Sequence, residues 1–172
     1  MNKKIILLLV ILLWIILALA MIIPNQSILS RGRAVVLETV PVDPRDLLRG
    51  DYVVLRYKIS SLDLSRIKSE KADYRRGEVI YVRLEPKGRF WEAAAVQSKK
   101  TADNVTYIKG RVRQSYNKQL RVVYGIESYF VPEGEGKELE RSMLGSKSSV
   151  NVEVMVDSSG NALIKKVHLD KR

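Results

Sequence analysis

The sequence predicts a mainly β protein: an N-terminal transmembrane helix followed by an antiparallel β-sandwich or partly open β-barrel with one or two short helices. Three observations predict it. Residues Ile5 to Ile23 form 19 consecutive apolar positions without a charge. Beyond them, apolar side chains recur at every second residue in several short segments, the period of a half-buried strand. Turn-forming clusters separate those segments at short spacing, as in sandwiches and small barrels.

The apolar run comes first. At 1.5 Å rise per residue, 19 helical residues span about 28 Å, close to the hydrocarbon thickness of about 30 Å. Pro24 follows, and a proline interrupts the helix hydrogen-bond ladder. The expected organisation is therefore an anchor over residues 1–24, a juxtamembrane linker over 25–33 and a β domain over 34–170. Membrane lipid is the expected partner of residues 5–23. Ala18-Leu19-Ala20 has the small-x-small form of a signal-peptidase site, so cleavage after Ala20 is the competing reading. The anchor is favoured, because the run is longer than a signal-peptide core and Met21-Ile22-Ile23 remains apolar past the cut. Lys3 and Lys4 precede the run, while Arg31 and Arg33 follow it, so flanking charge separates the two orientations only narrowly. A short N-terminal tail and a single leading helix favour an extracytoplasmic C-terminal domain.

The strands follow in order. Ala34 to Val42 is rich in β-favouring residues and ends between Pro41 and Pro44. In Tyr52 to Ser60, Val53, Leu55, Tyr57 and Ile59 share one face, the expected core face. Ser61 to Arg76 reads as a short helix or an ordered loop. Glu78 to Glu85 places Ile80, Val82 and Leu84 together, and Arg89 to Lys99 is its expected hairpin partner across Pro86-Lys87-Gly88. Asn104 to Arg113 and Leu120 to Tyr124 are further strands, extended by Gly125 to Val131. Lys137 to Met143 has helix-favouring composition. Val150, Val152, Val154 and Val156 alternate with Asn151, Glu153 and Met155, and Asp157 to Asn161 turns the chain into a last strand, Ala162 to Leu169.

Composition excludes several chemistries. The chain has no cysteine, which removes disulfides, thiolate metal sites and cysteine nucleophiles, and its single histidine argues against a histidine-based triad or a multi-histidine metal site. Without Lys3 and Lys4, 28 basic and 19 acidic residues remain, a net charge of +9. The basic residues are scattered and no aromatic-interleaved recognition motif is present, so no nucleic acid is expected. Contact with anionic lipid or an envelope polymer is the electrostatic alternative. Glu133, Glu135, Glu138 and Glu140 cluster, but Lys137 and Arg141 interleave with them, as on a solvated face. No metal ligand set, cofactor motif or catalytic residue is identified, and His168 is assigned no role.

Residues 41–57 read PVDPRDLLRGDYVVLRY, and residues 50–57 fit GDYxxLxY at every fixed position. A second stretch, residues 123–140, reads VYGIESYFVPEGEGKELE. On these two blocks the chain resembles the GDYXXLXY family. The resemblance implies a membrane-anchored protein without an established activity. It also implies a multi-pass membrane protein as partner.

The motif reads physically as a turn leading into a strand. Gly50 lacks a Cβ and can adopt positive φ there. Asp51 can bond nearby backbone or pair with Arg45 or Arg49. Gly50, Asp51, Tyr52, Leu55 and Tyr57 are thus a structural motif, with Leu55 and Tyr57 in the core and Tyr52 on the other face. A binding surface would use Arg45, Arg49, Asp51 and Tyr52, with Glu127 and Tyr129 of the second block. The expected role is a non-enzymatic binding or accessory domain for a membrane partner. The alternative is an enzyme whose site joins residues 43–57 and 123–140.

Overall fold

A computed structural model of the chain describes residues 3–40, 48–49, 52–101, 104–130 and 148–171. One helix, α1, spans Lys3–Arg31. It is long and apolar enough to cross a membrane, and none of its apolar window is buried against the rest of the chain. Ile5, Leu7, Leu8, Trp14 and Ile22 project from different sides and are all exposed, so the helix is apolar all round. It does not end at Pro24. The expected linker over 25–33 is instead two further turns of helix, then Gly32 and the first residue of a strand. A proline removes its own N–H from the ladder, but the following residues can still bond backward.

Twelve strands follow among the described residues, more than the seven or eight readable from periodicity. They are β1 (Arg33–Glu38), β2 (Leu48–Arg49), β3 (Tyr52–Val54), β4 (Ser61–Asp63), β5 (Lys68–Ser69) and β6 (Val79–Lys87). The remainder are β7 (Phe90–Gln97), β8 (Thr106–Tyr116), β9 (Gln119–Val123), β10 (Ser128–Phe130), β11 (Ser148–Val156) and β12 (Ala162–Lys171). They form three sheets ordered β1-β11-β12, β10-β3-β2 and β4-β9-β8-β6-β7-β5. All pairs are antiparallel except β5 with β7, and no described sheet closes into a barrel.

The alternation read from the sequence holds on the core faces. Val35 and Leu37 of β1, Ile80, Val82 and Leu84 of β6, and Val152, Val154 and Val156 of β11 all join one apolar cluster. Two local readings change. Residues 61–76 hold β4 and β5 joined by turns rather than a helix, and the chain turns once in 3-10 fashion at Lys58–Ser60. On β11, Asn151 and Met155 are buried as well as the valines. The end of α1 packs on β11 and β12. The helix proposed for Lys137 to Met143 and the glutamates at 133, 135, 138 and 140 lie outside the described residues.

The junction between α1 and β1 is tight. Ile28, in the last full turn, is only 8% exposed. The Gly32 N–H donates to the Ile28 carbonyl at 2.9 Å. A Cβ on Gly32 would lie 2.5 Å from that carbonyl oxygen and 3.1 Å from the Val156 oxygen, so only glycine fits between helix and sheet.

Candidate functional site

The two motif blocks meet in space. Leu48–Arg49 pairs with Tyr52–Val54, with Arg49 opposite Tyr52. On its other side, β3 pairs with β10 of the second block, so that Val53 faces Tyr129 and Val54 faces Ser128. Past Val54 the ladder between them stops, but the two blocks stay together. The Leu55 N–H donates to the Glu127 carbonyl at 2.7 Å.

Two tyrosines fasten the blocks reciprocally. Tyr57, the last residue of the motif, is fully buried, and its hydroxyl donates to the Ile126 carbonyl at 2.6 Å. Tyr124 reaches the opposite way and donates its hydroxyl to the Ile59 carbonyl at 2.6 Å. Each phenol thus satisfies a buried backbone acceptor 65 or more residues away. Burial raises the pKa of both hydroxyls well above the ordinary tyrosine value, and the nearby Glu127 charge raises them further. Both remain protonated donors near neutral pH.

Glu127 organises the turn from which Tyr124 projects. Its Oε1 accepts the Tyr124 N–H at 2.6 Å, and its Oε2 accepts the Gly125 N–H at 2.9 Å. Both carboxylate oxygens are therefore engaged with the backbone of their own turn. Gly110 on β8 makes room for the Tyr124 ring: a Cβ there would fall within 3.0 Å of two ring atoms and would collide with Val122.

The motif residues Leu55 and Tyr57 stand in the core as expected, with Leu55 only 2% exposed. Arg49 and Tyr52 lie on the paired backbones of β2 and β3. Tyr129 is half-buried against the core cluster. Gly50, Arg45 and Asp51 lie outside the described residues. Tyr124 was not among the sequence candidates. Its detectable signal is a Tyr-Gly-x-Glu run, in which an acidic side chain can reach back to cap the N–H groups of a turn. Just beyond the motif, the Lys58 ammonium bridges Glu92 on β7 at 3.0 Å and Glu38 on β1 at 3.1 Å, and both contacts raise its pKa.

Space between the described parts of the blocks is filled by Val53, Leu55, Tyr57, Tyr124 and Ile126, all buried. Open grooves lie elsewhere. One of about 660 Å³ runs along Lys71, Asp73, Arg75, Arg76 and Glu78. Another of similar volume runs between Lys68–Glu70 and Ala95–Lys99. Among the described residues, no three His, Cys, Asp or Glu side chains stand where they could hold a metal ion.

The family model described as GDYXXLXY protein matches residues 14–167, most of the chain. The chain belongs to the GDYXXLXY family. No curated protein and no solved structure matches it. The match begins within α1 and ends within β12, so it takes in both motif blocks and the helix–sheet junction. The family is one of uncharacterised function.

Proposed function

We propose that this member of the family is a single-pass membrane protein whose β domain is a non-enzymatic binding or accessory module on the extracytoplasmic side. The observation that carries the reading is the filled, reciprocally bonded contact between the two motif blocks. A hydrolytic or group-transfer site would need a cleft with free acid or base groups within reach of a substrate. Here both oxygens of the Glu127 carboxylate are committed to backbone N–H groups, and both phenols to buried carbonyls. The chemistry of such a contact is that of a scaffold. Arg45, Arg49, Asp51 and Tyr52 are the residues assigned to partner contact, with Tyr129 across the β3–β10 pair. The partner is a membrane protein that contacts this face of the domain.

The test is a pull-down from detergent-solubilised membranes with the full chain as bait. The reading expects a defined membrane protein, retained by wild type and lost with Arg49→Ala plus Tyr52→Ala while the thermal midpoint stays unchanged. No retained protein, or retention unaffected by those substitutions, contradicts it. A periplasm-dependent reporter fused to the C-terminus tests the side: activity supports the placement, and a silent reporter reverses it.

A further inference from the structure

The length of α1 and its tight junction with the sheet fix which end of the domain meets the bilayer. The apolar run ends at Ile23, yet the helix continues to Arg31, eight residues and about 12 Å further. The headgroup layer on one side of a bilayer is about 5–8 Å deep. Along the helix axis Arg31 therefore stands about 4–7 Å beyond that layer, a distance its long side chain can reach back across. Gly32 bonds back to the Ile28 carbonyl at 2.9 Å, and a Cβ there would meet the Ile28 and Val156 carbonyls, so the helix end and the sheet lie close together.

The neighbours of that junction are set by hydrogen bonds. Arg33 pairs with Val156 at the end of β11, so the turn Asp157 to Asn161 lies beside the helix exit. The guanidinium of Arg33 donates to Thr106 Oγ1 at 2.9 Å, at the start of β8. The Gly160 carbonyl accepts the Lys109 N–H at 2.7 Å. Arg31, Arg33 and Lys109 are exposed around this end. Asp157 is the carboxylate nearest in sequence to the junction. It is turned onto its own loop, accepting the N–H groups of Ser159 and Asn161 and the Asn161 side-chain amide.

We propose that Arg31, Arg33 and Lys109 bind the phosphates of anionic phospholipids, so that the β domain rests on the bilayer in one orientation. This rests on the membrane-anchor reading above. Charge complementarity and the close helix–sheet junction support it: near an anionic surface each basic residue contributes about 1 kcal/mol, a factor of about five.

The chain has no cysteine, so a single introduced thiol reports on this end without background. Full-length Ser159→Cys protein is placed in nanodiscs of purely zwitterionic lipid, and in nanodiscs with about one-third anionic lipid. Modification by a neutral water-soluble maleimide is timed. The proposal expects slower modification on the anionic discs. Molar salt abolishes the difference, and so does R31Q/R33Q/K109Q. Each single substitution removes about fivefold of the docked-to-free ratio. A thiol at Gln114, eight residues along β8 from Thr106 and about 27 Å away, should react equally on both discs. Equal rates for the Ser159→Cys thiol on the two discs, or a slowing that survives the triple substitution, would overturn the lipid contact. A chain that enters neither disc would overturn the anchor reading itself.

Discussion

Tyr57 and Tyr124 cross one another's segments: Tyr57 donates to the carbonyl of Ile126, two residues after Tyr124, and Tyr124 donates to the carbonyl of Ile59, two residues after Tyr57. The symmetry explains why the motif ends on a tyrosine. A leucine or phenylalanine could fill the same volume, but neither could satisfy a buried carbonyl of the other block. The hydroxyl at position 57 therefore specifies the pairing of the blocks, and the ring contributes the apolar burial.

Glu127 holds the turn that aims Tyr124. Glu127→Ala leaves the N–H groups of Tyr124 and Gly125 without their acceptor, and should lower the free energy of unfolding by about 1–3 kcal/mol. Glu127→Gln keeps one acceptor oxygen and should lose less. Denaturant titration of the full chain in detergent distinguishes the three proteins. Equal stability for Glu127→Ala and wild type would remove the capping role.

Alkaline pH tests the buried phenols. Both tyrosines have folded-state pKa values raised above the unfolded value of about 10. Above pH 10 the unfolded chain releases these protons and the folded chain keeps them. Stability is therefore fully present below about pH 10 and falls as pH rises, by about 1.4 kcal/mol per unit for each tyrosine. Stability against pH should fall less steeply in Tyr57→Phe and Tyr124→Phe, and tyrosinate absorbance should show these two phenols ionising only with unfolding.

Gly110 gives a steric test. Gly110→Ala drives a methyl into Val122 and the Tyr124 ring, with an expected loss of about 1–3 kcal/mol. The Tyr124–Ile59 bond should weaken with it, seen as faster hydrogen exchange around residues 57–60. Unchanged exchange there would mean that the ring has another way to accommodate the methyl.

Gly32 tests the junction. Gly32→Ala sets a methyl against two backbone oxygens, so the helix end must move off β11. The expected result is a lower thermal midpoint and faster exchange at Val156 and Arg33, with the core around Tyr57 unaffected.

Much of this was legible in the sequence, for identifiable reasons. The alternation of Val53, Leu55, Tyr57 and Ile59 predicts four core positions, and all four are buried. Side-chain alternation follows extended backbone, so it carries past the end of the hydrogen-bonded strand at Val54 as far as Tyr57, whereas Ile59 is buried from the 3-10 turn that follows. The helix was legible from its apolar run, but its end was not, because the last two turns draw on contact with β11 and β12 as well as on local composition. β4 and β5 are too short and polar to show a period. They exist through partners far along the chain, Gln119–Arg121 and Ala95–Val96. The same distance hid Tyr124, since nothing local to VYGIE announces an acceptor at Ile59.

A double-mutant cycle on Tyr57 and Tyr124 tests the interlock most directly, with unfolding free energies measured for wild type, Tyr57→Phe, Tyr124→Phe and the pair. Each single change should cost about 1–3 kcal/mol. Because both bonds hold the same two segments, the double variant should lose less than the sum by about 0.5 kcal/mol or more. Losses that add within about 0.3 kcal/mol, or single variants as stable as wild type, would contradict a reciprocal lock between the two blocks.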